Sequence, residues 1–155
     1  MSIFPTKILL ATDGSEDAKL AATTAADLAN STNSELHIVF VVENPYASGD
    51  ASYWAGLPRG YPVTDAQLEH ELEQQARKQL DAEVEKVRSA GGEVAEAHLR
   101  VGDAAPEIVA LAEDIEAGLI VIGSRGLGGI RRALMGSVSD AVLRHAHCPV
   151  LVVRH

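Results

Sequence analysis

Residues Gly118–Asp140 read GLIVIGSRGLGGIRRALMGSVSD, and the reading of this stretch decides the fold. It opens on a short apolar run, Leu119-Ile120-Val121-Ile122, of the kind a strand buried on both faces requires. A loop follows with glycine at Gly123, Gly126, Gly128, Gly129 and Gly136. The stretch ends on Ser137-Val138-Ser139-Asp140, a helix start with Ser137 as candidate N-cap and Asp140 three residues on. Strand, glycine loop and helix N-terminus together suit an anion. Glycine lets the backbone approach closely, and the amides and positive dipole end of the helix favour negative charge.

Charge agrees with this reading. The chain has a formal net charge of −9, yet no Asp or Glu occurs between Glu116 and Asp140, where Arg125, Arg131 and Arg132 all fall. The acidic balance argues against a nucleic-acid partner, which needs clustered positive charge. The 155 residues are 46% apolar and 23% charged, the composition of a globular chain, and we expect one domain over residues 1–155. No run reaches the ~18 apolar residues of a membrane span. Pro5 and Lys7 interrupt the first apolar run, so it does not read as a secretory signal. The single cysteine, Cys148, cannot form an internal disulfide. We expect a cytoplasmic location.

Outward from the glycine stretch, apolar runs and helical patterns alternate. Lys7–Thr12 reads as the first strand, ending at Asp13-Gly14-Ser15. Glu16–Thr32 is an alanine-rich helix suited to close packing on a sheet, and Glu35–Val42 is the second strand. Residues Glu43–Val63 form a connection rich in glycine and proline that carries Tyr46, Tyr53, Trp54 and Tyr61. Those aromatics either pin the loop to the body or face a ligand or protein partner. Thr64–Ala90 is an amphipathic helix ended by Gly91-Gly92. Glu93–Val101 alternates as a third strand, and Ala104–Glu116 is a helix with Asp103 as N-cap. Ser137–Ala146 is the closing helix and Pro149–Arg154 the last strand. This order gives an α/β fold, an open five-stranded parallel sheet with helices on both faces.

Two familiar phosphate loops do not match. A P-loop needs a lysine, which this stretch lacks, and G-x-G-x-x-G begun at Gly126 would need glycine where Arg131 stands. The spacing present is Gly123-x2-Gly126-x9-Gly136-Ser137. It resembles the nucleotide-binding signature of the universal stress protein family, G-x2-G-x9-G-[ST]. Val138–Val153 (VSDAVLRHAHCPVLVV) is similar to that family's closing helix and strand, and Lys7–Ser15 (KILLATDGS) to its first strand and acidic turn. The resemblance implies a Rossmann-like sheet of order 3-2-1-4-5, in which strands one and four are neighbours.

The same resemblance implies a regulatory, stress-response protein that binds ATP, or AMP or ADP, with Mg2+ as a candidate companion. The implied ligand set starts with Ala11, Thr12 and Asp13, and with the main chain of Val41 against adenine. It continues with Gly123, Arg125 and Gly126 in the loop, and Gly136, Ser137, Val138 and Ser139 at the helix start. Read from the residues alone, Asp13 is either a ribose or metal contact or a turn aspartate, and Ser137 needs no role beyond capping. The resemblance also implies a homodimer through the last strand, residues 149–154. His145 and His147 do not share a helix face, so with Cys148 they make no metal site; any metal ligands are left open. One alternative is an enzyme, a slow ATPase or nucleotidyl transferase; against it, Asp13 is the one candidate base and the loop has no lysine. The other is a nucleotide-free interaction module working through the Tyr46–Tyr61 loop.

Overall fold

The computed structural model describes residues 2–43, 65–124 and 136–154, with side chains left out at 65–69. The elements are β1 (Lys7–Thr12), α1 (Glu16–Thr32), β2 (Glu35–Val42), α2 (Asp65–Ser89), β3 (Val94–Val101), α3 (Ala104–Asp114), β4 (Leu119–Gly123), α4 (Ser137–His145) and β5 (Val150–Val153). The five strands form one sheet in the order β3-β2-β1-β4-β5, and every paired neighbour is parallel. The expected fold class and strand order are both observed. The aromatic connection, from residue 44 onward, and loop residues 125–135 lie outside the described residues.

Strand alternation sends successive side chains of the central strands into two different layers. Ile8 and Leu10 of β1, Leu36 and Ile38 of β2 and Val121 of β4 pack on Ala21, Ala22, Ala25 and Ala26 of α1 and on Leu80, Val84 and Val87 of α2. Leu9, Ala11, Val39, Ile120 and Ile122 face the other way, against Ile108, Leu111 and Ala112 of α3 and Val142 of α4. That is why these runs are apolar throughout rather than alternating.

Helix ends follow local chemistry. Ser15 caps α1, its hydroxyl accepting the Ala18 N–H at 3.2 Å. α3 stops at Asp114, two residues short of the expected end, because Glu116 turns left-handed (φ 57°) and the Ala117 amide closes back on the Ala112 carbonyl. At α4 the expected cap moves by one residue. Gly136 is extended (φ −74°, ψ 161°) and its carbonyl accepts the Asp140 N–H, the first bond of the helix. Gly136 is therefore the N-cap and Ser137 the first helical residue, with no side-chain cap.

Gly123 sits where α1 crosses the end of β4. A Cβ there would lie 2.9 Å from both the carbonyl carbon and the Cβ of Asp17, and 3.1 Å from the Ala18 nitrogen. The first glycine of the motif is thus required for close approach of helix to strand, not for a left-handed backbone. Gly123→Ala should destabilise the protein by about 1–3 kcal/mol, the usual range for overpacking. Thermal unfolding of the variant beside the parent checks this, and an unchanged melting temperature would show that α1 yields without cost.

Candidate functional site

The sheet order reverses between β1 and β4, and ligands of open α/β sheets bind beyond the carboxyl ends of the strands at such a point. Ala11 of β1 lies opposite Ile122 of β4, so Asp13 and Gly123 leave the sheet at the same end of adjacent strands. Thr12 pairs with Phe40, which brings Val41 of β2 level with Asp13 on the other side of β1. The ends of β2 and β4 flank β1 and stand about 10 Å apart, two strand spacings.

The turn after β1 is tightly specified. Asp13 Oδ1 accepts the Ser15 N–H at 2.9 Å, and Gly14 between them takes φ 82°, a backbone that residues with a side chain rarely adopt. Asp13 is thus a turn residue, half-buried just beyond the end of β1. Thr12 points into the opposite layer, where its hydroxyl donates to Glu83 Oε2 at 3.1 Å, and Glu83 is only 2% exposed. The other oxygen of Glu83 accepts from Lys86 Nζ at 2.9 Å.

The glycine loop leaves and returns through one buried residue. The Ser124 hydroxyl donates to Asp17 Oδ2 at 2.7 Å, and its amide donates to the Val153 carbonyl at 2.8 Å. The Ser124 carbonyl accepts both the Gly136 amide and the Ser139 hydroxyl, the latter at 2.8 Å. Ser139 also reaches the Gly136 carbonyl at 3.0 Å. Asp17, Ser124 and Ser139 are all buried. They tie the N-termini of α1 and α4 to the end of β4 and hold the two ends of the loop together. Beyond that clamp, the amides of Ser137, Val138 and Ser139 precede the first bond of α4 and have no acceptor within the helix. Ser137 is exposed and Val138 half-buried.

The predicted positions therefore separate into three groups. Ala11, Asp13, Val41, Gly123, Gly136, Ser137 and Val138 gather at one end of the sheet. The side chains of Thr12 and Ser139 are engaged inside the fold. Arg125, Gly126, Arg131 and Arg132 lie outside the described residues. Sequence reasoning missed Asp17 and Ser124. Asp17 did carry a signal, because it shares the i+4 row of the buried Ala21 and Ala25.

Cys148 packs beside the second core layer, and burial pushes its thiol up, as a small apolar side chain would behave. A histidine pair that the sequence reading did not single out stacks across β2 and β3: His37 and His98, with ring centroids 5.5 Å apart. Burial holds His98 below the ordinary histidine range, with the Glu96 carboxylate opposing.

The sequence pattern of the universal stress protein family matches residues 5–154. The chain belongs to that family. A universal stress protein of Methanocaldococcus jannaschii is 37% identical over 149 residues, covering 96% of this chain and 81% of the relative. A universal stress protein solved in complex with cAMP superposes with a TM-score of 0.68 at 25% identity, covering 96% of this chain and 97% of its own. The Archaeoglobus fulgidus universal stress protein, solved in complex with dAMP, gives a TM-score of 0.64 at 25% identity, covering 97% and 99%. As a universal stress protein, this chain has the family's sheet, and among the described residues no helix is long and apolar enough to cross a membrane.

Proposed function

We propose that this universal stress protein binds an adenine nucleotide, ATP before AMP or ADP, in the crevice between the ends of β2, β1 and β4. The observation that carries the reading is the convergence of the Asp13 turn and the first-turn amides of α4, which have no acceptor within the helix, at the point where strand order reverses. The complexes of the two solved relatives with cAMP and dAMP support an adenine ligand.

In this reading the main chain of Val41 meets adenine and Asp13 accepts from the ribose hydroxyls. With β1 between β2 and β4, the ribose would lie between base and phosphates. Gly126, Gly136 and the amides of Ser137, Val138 and Ser139 hold the phosphates, with Arg125 screening their charge. Thr12 and Ser139 contribute main chain only, since their hydroxyls are engaged at Glu83, Ser124 and Gly136. Ala11 and Gly123 shape the floor. The donor set fits polyphosphate: backbone amides at a helix start, on a stretch without carboxylates from residue 117 to 139. Asp13 is the one carboxylate of this set that could meet a Mg2+ ion carried with ATP.

Binding would act as regulation by stabilising one conformation or assembly state, inside the cell. ATP at ~100 times its dissociation constant should add about 2.7 kcal/mol of stability. That is a rise of several degrees in melting temperature, at ~2–4 °C per kcal/mol. GTP should give no such rise. Gly126→Asp should remove the ATP-induced rise and leave the ligand-free melting temperature in place, because a carboxylate would repel the phosphates. A shift that survives Gly126→Asp, or none with any nucleotide, would refute the assignment.

We infer a homodimer through β5. This strand lies at one edge of the sheet, and its apolar sequence invites pairing with a second copy. The Pro149 and Val153 carbonyls accept from β4, so by alternation the Val152 amide faces outward. Proline is tolerated at such an edge position but cannot donate there. Light scattering should find a dimer for the parent and a monomer for Val152→Pro. A dimer that persists in the variant would place the contact elsewhere.

A further inference from the structure

β2 and β3 carry a second group of ligand-type side chains, toward the opposite end of the sheet from the crevice. His37 lies four residues before Val41, about 13 Å along the strand. A break in register builds the group. Leu36 pairs with Val94, but His37 pairs with Glu96, leaving Ala95 as the extra residue of a bulge. In unbroken register, Glu96 would pair with Ile38 and His98 with Phe40, on the apolar layer under α2. The bulge turns Glu96 and His98 onto the face of His37 and Val39 instead.

The three side chains converge. His37 Nδ1 and His98 Nε2 are 3.2 Å apart, and Glu96 Oε2 is 3.8 Å from His98 Nε2. One ligand atom from each of the three residues lies within 4.8 Å of the others. Zinc bonds of about 2.0–2.1 Å in tetrahedral geometry put neighbouring ligand atoms about 3.3 Å apart. His37 Nε2 meets Glu35 Oε2 at 3.3 Å, so the second ring nitrogen is oriented by a carboxylate, as metal-bound histidines commonly are. The histidine side chains are 6% and 13% exposed, whereas Glu35 and Glu96 are 60% and 65% exposed. The nitrogens are thus shielded, and the carboxylates leave an entry from solvent.

We propose that His37, His98 and Glu96 bind a divalent transition-metal ion of the zinc class, with Glu35 orienting His37. Imidazole nitrogens select this class over Mg2+ or Ca2+, which take oxygen donors. The two carboxylates offset the charge of the ion, and the fourth position is left to water. The group shares no residue with the proposed nucleotide site; His98 pairs with Val39, two residues before Val41.

The test uses the full-length untagged chain, stripped with chelator and free of nucleotide. Zn2+ is titrated in competition with a chromogenic chelator, and Co2+ absorption reports geometry. The parent should bind one ion per chain and give the intense visible bands of tetrahedral cobalt. His98→Gln and Glu96→Gln should each weaken binding about tenfold or more and lose those bands. His147→Ala, at an exposed histidine elsewhere, should change neither. Glu96→Gln alters an exposed carboxylate, and circular dichroism confirms its fold. No stoichiometric binding by the parent, binding that survives both site variants, or binding lost in His147→Ala would each overturn the proposal.

Discussion

The carboxyl end of β4 depends on a buried hydrogen-bonded clamp centred on Ser124. Its hydroxyl holds the Asp17 carboxylate, its amide holds β5, and its carbonyl holds the start of α4. Each bond draws a different element to the tip of β4. Buried polar groups of this kind contribute modestly when paired but are costly when a partner is removed. The clamp therefore fixes geometry more than it adds stability. Gly123 is its steric counterpart, since only a residue without Cβ lets Asp17 come close enough to reach Ser124. The clamp also closes the stem of the glycine loop at Ser124 and Gly136, whatever path residues 125–135 take.

Much of the fold was legible because local and long-range signals agreed. β1 and β4 are apolar on both faces, and α1 is rich in alanine, so a covered parallel sheet was the consistent reading. Strand order was not legible from periodicity; it came from the likeness of the Gly123–Ser137 spacing and the KILLATDGS start to one family, and the sheet has that order. Element ends shifted by a residue or two where backbone geometry overrode side-chain preference. Ser137 looks like a cap, but the first helical bond begins at the Gly136 carbonyl. Asp17 and Ser124 escaped because their pairing spans 107 residues and leaves only a faint helical phase signal. Glu83 is a third such residue: three residues after Leu80 and four before Val87, it lies on the buried row of α2, where its carboxylate meets Thr12.

The histidine pair shows a different limit. The alternation of Glu93–Val101 marks a strand but not the register of its partner, and here a single extra residue decides which layer Glu96 and His98 face. Sequence alone drew attention to His145 and His147, which cluster in the chain. His37 and His98 cluster only in space, 61 residues apart. The two ends of one sheet thus carry different chemistry: backbone amides and a turn aspartate where the strands finish, imidazole and carboxylate nearer where they begin.

The account rests on the amides at the start of α4 receiving a phosphate group. Amide-resolved NMR of the labelled protein during ATP titration tests this most directly. The account predicts that the Ser137, Val138 and Ser139 amides shift most, moving to saturation together with Asp13 and Val41. Perturbations confined to other elements, with those amides unmoved at saturation, would contradict it.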